Sequence, residues 1–391
     1  MQLTDRQIAL AIEEILLTRG INTVMELFLN SLMGLERKEF LLVSNEETKT
    51  NKGNGYRFGS VFYKGSSFKL RIPRDRIGQF YPIILALLRN EEEEIDNWAF
   101  ELYGKGLTTR DVSDIFQKIY GNSYSKSSIS RINQSYKAEL EDWRNRPLDK
   151  HYPAIMVDAL HTHIRRDSTV KTEAVYVVLG IREDKSRDIL AIENIPTESA
   201  SGWKSLFENL KSRGIESTNL IIADGLKGLE QVVAEVFPQA DFQKCVTHLK
   251  RNILSKVRSN HKQEIADDLK EVFVTNDKSY TKEMGLNRWD IFIKKWGKIY
   301  RYISNFNSRL EMIYYFTYLD YDSRVRSMIY TTNWIENLNK QFRKVLKIRN
   351  SMPSDESVLL LLSKVALDKI DRYLNHPIYI FKFDKNLFPN N

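Results

Sequence analysis

The stretch AIMVDALHTHIRRDSTVKTEAVYVVLGIREDKSRDILAIENI, residues 154–195, contains three apolar runs separated by polar segments. AIMVDAL (154–160), EAVYVVLGI (173–181) and RDILAIENI (187–195) each read as a buried strand, and REDKS (182–186) turns the second into the third. Three strands in succession predict a meander. The pattern then alternates. ESASGWKSLFENLKSRG (198–214) is helical in period, with Trp203, Leu206, Phe207 and Leu210 on one face and Gly214 as its stop. TNLIIADG (218–225) reads as a fourth strand, LKGLEQVVAEVF (226–237) as a helix ended by Pro238, and ADFQKCVTH (240–248) as a fifth strand. The order β-β-β-α-β-α-β-α predicts an α/β domain, a mixed sheet with helices packed on it.

This domain is expected to span 151–391, with NRPLDKHYP (145–153) as the linker into it. Residues from about 255 to 321 interrupt it. They are helical in period and rich in Trp, Tyr and Lys, as in NRWDIFIKKWGKIYRYISNF (287–306), and predict an all-helical insertion. Upstream, 1–95 is expected to be mainly helical with one hairpin, GYRFGSVFYKGSSFKLRIPRDR (55–76), turning at Lys64-Gly65. Residues 96–144 contain TTRDVSDIFQKIYGNSYSKSSISRINQSY (108–136), which has the form of a helix-turn-helix. Thr108 or Thr109 caps a helix carrying Val112, Ile115, Phe116 and Ile119, Gly121-Asn122 breaks it, and Ser125 caps a second. The second helix buries Ile129 and Ile132 and presents Lys126, Ser127, Ser128 and Arg131, short polar and basic groups suited to a DNA groove.

The chain has 391 residues, a net charge of +8 and 42% hydrophobic residues, enough for a large core and basic enough to favour a polyanion. One cysteine, Cys245, excludes an intrachain disulfide and a Cys-rich zinc finger, and suits a reducing compartment. MQLTDRQIALAIEEILLTRG (1–20) reads as an amphipathic helix and not a signal peptide, and no apolar run approaches the roughly 20 residues of a membrane span. A cytoplasmic, nucleoid-associated protein that uses no membrane is expected.

Charge is concentrated late in the chain. Between Arg324 and Asn350 there are seven Lys/Arg and a single acid, Glu336. At about 100° per residue, Lys340, Arg343 and Lys347 fall within roughly 40° of Glu336, with Trp334, Leu338, Phe342 and Val345 opposite. One side is expected to pack and the other to align a carboxylate with bases that grip phosphates. Asp158 is expected near the end of the first strand of the sheet, and Asp224 ends the fourth. Ligands of open α/β sheets gather outside strand carboxyl ends, so the three acids can converge on a hard divalent cation. Asn333, Asn337 and Asn339 are placed to orient the carboxylate or the DNA.

With these residues in hand, the chain resembles bacterial insertion-sequence transposases of the Mutator type. The resemblance runs from about 55 to 363 and rests on VDALH at Asp158, Glu198-Ser199 with Trp203, and LKSRG (210–214). It continues through ADGLKGL at Asp224, FPQADFQKCVTHLKRN (237–252), KKWGKIY (294–300) and YTTNWIENLNKQFRK at Glu336, with IPRDRIGQFYP (72–82) upstream. Two departures, Ala191 within Leu190–Ile192 and Trp334 before Ile335, replace no acid. The resemblance implies a ribonuclease H-like catalytic domain interrupted by a helical insertion, with Asp158, Asp224 and Glu336 as its Asp-Asp-Glu triad. Cys245 and His248 match the family's Cys-x-x-His motif; with Asn333 they are candidates for active-site support.

The reaction so implied is cleavage of element ends followed by strand transfer, with two Mg²⁺ or Mn²⁺ ions about 4 Å apart held by the triad. The partners would be DNA, as terminal inverted repeats and as target, and a second copy of the chain, because synapsis joins two ends. A DNA-binding repressor would leave the three acids idle, and a stand-alone metal-dependent nuclease would use them without joining ends.

Overall fold

The computed structural model describes residues 4–48, 51–63, 66–120, 125–167, 169–196, 199–225 and 228–375. Two compact units divide at Tyr136/Lys137.

In the first unit, helix α1 (Asp5–Thr48) is broken at Gly20, whose φ of 78° is left-handed and open to glycine. Strands β1 (Gly53–Tyr63) and β2 (Ser66–Asp75) pair antiparallel in a register that ends at Tyr63↔Ser66. The expected turn at Lys64-Gly65 lies outside the described residues. Helix α2 (Ile83–Gly104) runs unbroken through residue 95, so the expected division there falls inside one helix. Leu29 and Met33 of α1 pack on Phe68, Leu70 and Ile72 of β2 and on Leu85 and Leu88 of α2.

Helices α3 (Thr109–Tyr120) and α4 (Lys126–Ser135) follow, and the break expected at Gly121-Asn122 lies outside the described residues. The Thr108 hydroxyl accepts from the Asp111 N–H at 3.2 Å while the Asp111 carboxylate accepts from the Thr108 N–H at 2.9 Å, a reciprocal start to α3. Ser125 caps α4 by accepting from the Ser128 N–H at 3.2 Å. Ile129 packs with Val112 and Phe116 and with Ile95 and Ala99 of α2. Lys126, Ser127 and Arg131 are exposed and Ser128 is half-buried.

The second unit opens with α5 (Lys137–Asn145) and a five-stranded sheet. Its strands are β3 (His151–Arg166), β4 (Thr169–Ile181), β5 (Arg187–Ile195), β6 (Ser217–Ala223) and β7 (Asp241–Lys244), in the order β5-β4-β3-β6-β7. The first three form an antiparallel meander; β6 and β7 join it in parallel. Helices α6 (Ala200–Ser212) and α7 (Leu229–Val236) make the parallel connections. Trp203, Leu206, Phe207 and Leu210 of α6 and Val232, Val233 and Val236 of α7 bury against Ile155, Val157, Tyr176, Val178, Ile221 and Ala223.

On the opposite side, α14 (Asn333–Arg349) packs on β3 and β4, and α15 (Asp355–Asn375) on β5 and β3. Coverage of both faces explains why the strands read as continuous apolar runs. Between β7 and α14 every regular element is helical: α8 (Val246–Ser255), α9 (Lys262–Val272), α10 (Lys282–Trp296), α11 (Arg301–Ser304), α12 (Arg309–Met312) and α13 (Ser323–Ile329), with short 3-10 turns.

Two strand expectations need correction. The first strand extends to Arg166, well past Leu160, because β4 pairs with it along its length down to Arg166↔Thr169. The fifth strand stops at Lys244. Val246, Thr247 and His248 belong to α8, and Cys245 is its N-cap residue. The Val246 N–H turns away from the sheet to donate to the Tyr330 carbonyl at 2.9 Å, which ends the ladder.

Candidate active site

Strand alternation places the first two acids. Ile155 and Val157 face α6 and α7, so Asp158 takes the other face, beneath α14. The parallel ladder of β3 and β6 closes on Val157↔Ala223, which puts Asp158 and Asp224 one step beyond the same rung of neighbouring strands. The ladder of β6 and β7 closes on Ala223↔Lys244, and the Cys245 N–H donates to the Ala223 carbonyl at 2.8 Å. Asp158 on β3, Asp224 just past the end of β6 and Cys245 just past the end of β7 thus follow one rung across the sheet.

Glu336 enters from α14. Its residue is 7% exposed, whereas Lys340, Arg343 and Lys347, at nearly the same angle on the helix, are exposed. The expected division into a packed side and a polar side carrying Glu336 is therefore corrected at the first turn, which α8 covers. Trp334, expected in the packed face, is half-buried. Arg251 of α8 donates to both oxygens of Glu336, Nη1 to Oε1 at 3.0 Å and Nη2 to Oε2 at 2.9 Å. His248, one turn earlier on α8, bridges two of the acids: Nδ1 lies 3.6 Å from Asp224 Oδ1 and Nε2 lies 3.7 Å from Glu336 Oε1. Asp158, 5% exposed, accepts from Asn339 Nδ2 at 2.7 Å through Oδ2 and from the Ala159 N–H at 2.9 Å through Oδ1.

The geometry sets the charges. Burial holds the Asp158 carboxyl above its ordinary value, with Asp224 adding to the effect; the Asn339 bond and the His248 charge oppose it. The contact with Cys245 pushes His248 up to about 9 against its burial, helped by the Cys245, Asp224 and Asp158 charges. Burial alone would raise the Cys245 thiol, but His248 and the Thr332 hydroxyl, which donates to Sγ at 3.4 Å, bring it below its ordinary value. A sulfur of Cys245, a nitrogen of His248 and an oxygen of Glu336 lie within 4.8 Å of one another.

The three acids, with Cys245 and His248 that the resemblance adds to them, lie together in the fold. Asn339, and not the exposed Asn333, reaches an acid. Arg251 was missed; its signal was the spacing from His248, three residues on and so on the same helix face. Glu198, part of the quoted motif, lies outside the described residues, while Ser199 caps α6 by accepting from the Gly202 N–H at 3.2 Å.

The family model for "Transposase, Mutator family" matches residues 2–376. The chain belongs to the Mutator family of transposases. Membership gives it the role of an enzyme that cuts and joins DNA. The transposase is 30% identical over 341 residues to the transposase of insertion sequence element IS905 from Lactococcus lactis, covering 86% of this chain and 85% of that one. It is 31% identical to the ISRM3 transposase of Rhizobium meliloti, over 84% and 81% of the two chains. It is 28% identical to the IS256 transposase in transposon Tn4001 of Staphylococcus aureus, over 91% of each. Among solved structures, the Drosophila P element transposase strand transfer complex aligns over 72% of this transposase and 80% of its own chain at 10% identity, with a TM-score of 0.29. Among the described residues, no helix is long and apolar enough to cross a membrane.

Proposed function

We propose that Asp158, Asp224 and Glu336 are the catalytic acids of a ribonuclease H-like domain that cleaves the ends of an insertion sequence and joins them to target DNA. The observation that carries this reading is the placement of Asp158 on β3 and Asp224 just past the end of the neighbouring parallel strand β6, one step beyond the same rung, with His248 spanning Asp224 and Glu336. The strand order, an antiparallel meander extended by two parallel strands, supports the ribonuclease H-like assignment.

Three carboxylates offer the all-oxygen donor set that suits Mg²⁺ or Mn²⁺, and burial of Asp158 favours whatever neutralises it. Two such ions, held by Asp158, Asp224 and Glu336, would supply Lewis-acid polarisation of the scissile phosphate and an activated water or 3′-hydroxyl. Asn339 fixes the Asp158 carboxylate through Oδ2. Arg251 fixes Glu336 in its paired orientation, and its side chain, 56% exposed, lies within reach of solvent and so of a DNA phosphate. Lys340, Arg343 and Lys347 continue the exposed face of α14 as a backbone-gripping row. In the first unit, Lys126, Ser127 and Ser128 in the first turn of α4, with Arg131 further along it, would read the terminal inverted repeats. Pairing of two ends calls for a homodimer on DNA.

The test is cleavage of labelled element-end DNA by Asp158→Asn and Glu336→Gln. Cleavage and strand transfer are lost in both while DNA binding persists; undiminished cleavage in either removes that residue from the mechanism.

A further inference from the structure

The sulfur-and-nitrogen side of the pocket has a chemistry the three acids do not use. Cys245 and His248 sit at the start of α8 in Cys-x-x-His spacing, so thiol and imidazole project to one side of the same turn. With Glu336 they present S, N and O atoms within 4.8 Å of one another, a spacing that side-chain shifts of about 1 Å would close around one ion. The His248 ring is oriented as a metal-bound histidine usually is. Nε2 faces Glu336 at 3.7 Å, while Nδ1, buried and with no hydrogen-bond partner, faces the Asp224 carboxylate at 3.6 Å. In metal sites the second ring nitrogen commonly donates to such a carboxylate, fixing the tautomer. The Glu336 carboxylate is already held by Arg251, and each oxygen keeps a further lone pair, so a bound ion need not displace the guanidinium.

We propose that Cys245, His248 and Glu336 bind a single borderline divalent ion of the zinc class, with Asp224 as the outer partner of His248. The donor set discriminates against Mg²⁺, which takes oxygen ligands, and favours Zn²⁺, which takes thiolate and imidazole in tetrahedral sites. On binding, the thiol proton and the proton on His248 Nε2 leave to solvent, Nδ1 keeps its proton toward Asp224, and no redox change occurs. Glu336 is shared with the acid triad and Asp224 is engaged through His248. Zinc at this position therefore withdraws two acids from the DNA-cutting reaction, making the site an inhibitory switch. Binding of the ion is independent of the triad reading, whereas its inhibitory consequence rests on that reading.

The experiment titrates the full-length, DNA-free transposase with Co²⁺ as a spectroscopic stand-in and then displaces it with Zn²⁺. The expected spectrum carries a sulfur-to-cobalt charge-transfer band and the strong visible bands of tetrahedral cobalt, both bleached by one equivalent of Zn²⁺. Cys245→Ser abolishes the charge-transfer band. Asp224→Asn keeps the band but weakens Zn²⁺ binding about 10- to 100-fold, as loss of an outer partner does. Circular dichroism of each variant separates loss of a ligand from loss of fold, and His248→Gln provides a second ligand deletion. A weak octahedral cobalt spectrum without a thiolate band, or unchanged Zn²⁺ affinity in folded Cys245→Ser and His248→Gln, overturns the proposal. Mn²⁺ binding, followed separately by electron paramagnetic resonance, reports on the acid triad. Its absence beside an intact thiolate band would count against the triad and leave the zinc site standing.

Discussion

Arg251→Ala is the most informative single change. Two charge-assisted hydrogen bonds, at 3.0 and 2.9 Å, join a guanidinium to a Glu336 side chain only 9% exposed. A fully buried pair broken this way costs about 3–5 kcal/mol, because the remaining charge stays desolvated. Arg251 is 56% exposed, so solvent screens part of that cost, and His248 remains 3.7 Å from Glu336 as a second cation. The net loss works out at about 1–3 kcal/mol. At roughly 2–4 °C per kcal/mol for a unit of this size, the metal-free protein should melt about 2–12 °C lower. If Arg251 supplies the charge that a divalent ion supplies in the working site, Mn²⁺ should raise the melting temperature of Arg251→Ala by more than it raises wild type. Differential scanning calorimetry in chelator and in excess Mn²⁺ measures both. Melting at the wild-type temperature in chelator, or an equal gain from Mn²⁺ in the two proteins, would refute the reasoning.

Asn339→Ala removes the donor to the Asp158 carboxylate, and single-turnover cleavage should fall about 10- to 100-fold with DNA affinity unchanged; a wild-type rate shows that Asn339 does not position Asp158. Burial, aided by Lys270, holds Lys250 down at about 8, below its ordinary 10.5, between the rings of Phe273 and Tyr330. Between those values the native chain binds fewer protons than the unfolded one, so stability climbs with pH through that interval. Lys250→Met should remove the climb and add about 1–3 kcal/mol at pH 7, read from urea midpoints at pH 7 and 10.5. Replacing Lys340, Arg343 and Lys347 by Ala together should lower the slope of log affinity against log salt by up to about 3; an unchanged slope would show that none of the three meets phosphate.

The sequence by itself determined the meander, the crossover helices and the helical interruption, because each rests on local periodicity. Its apolar runs mark strands buried on both faces. Trp203, Leu206, Phe207 and Leu210 recur on one side of a single helix, and the structure buries all four. Asp224 and Glu336 were legible as well, since carboxylates where a strand ends and a basic helix begins stand out from their surroundings. Asp158, expected near a strand end, lies in the middle of β3 because the pairing with β4 carries that strand on to Arg166. Only the tertiary structure decided how those acids are held. Arg251 and Glu336 are 85 residues apart and Asn339 and Asp158 are 181 apart, and no local signal couples such pairs. The boundary between β7 and α8 is likewise set by packing, and the strand expected through His248 stops at Lys244. Cys245 to His248 fit a strand by composition, and what curls them into a helix is the Val246 N–H meeting the Tyr330 carbonyl instead of the sheet. Periodicity records which face a residue takes; only packing decides which distant side chain waits there.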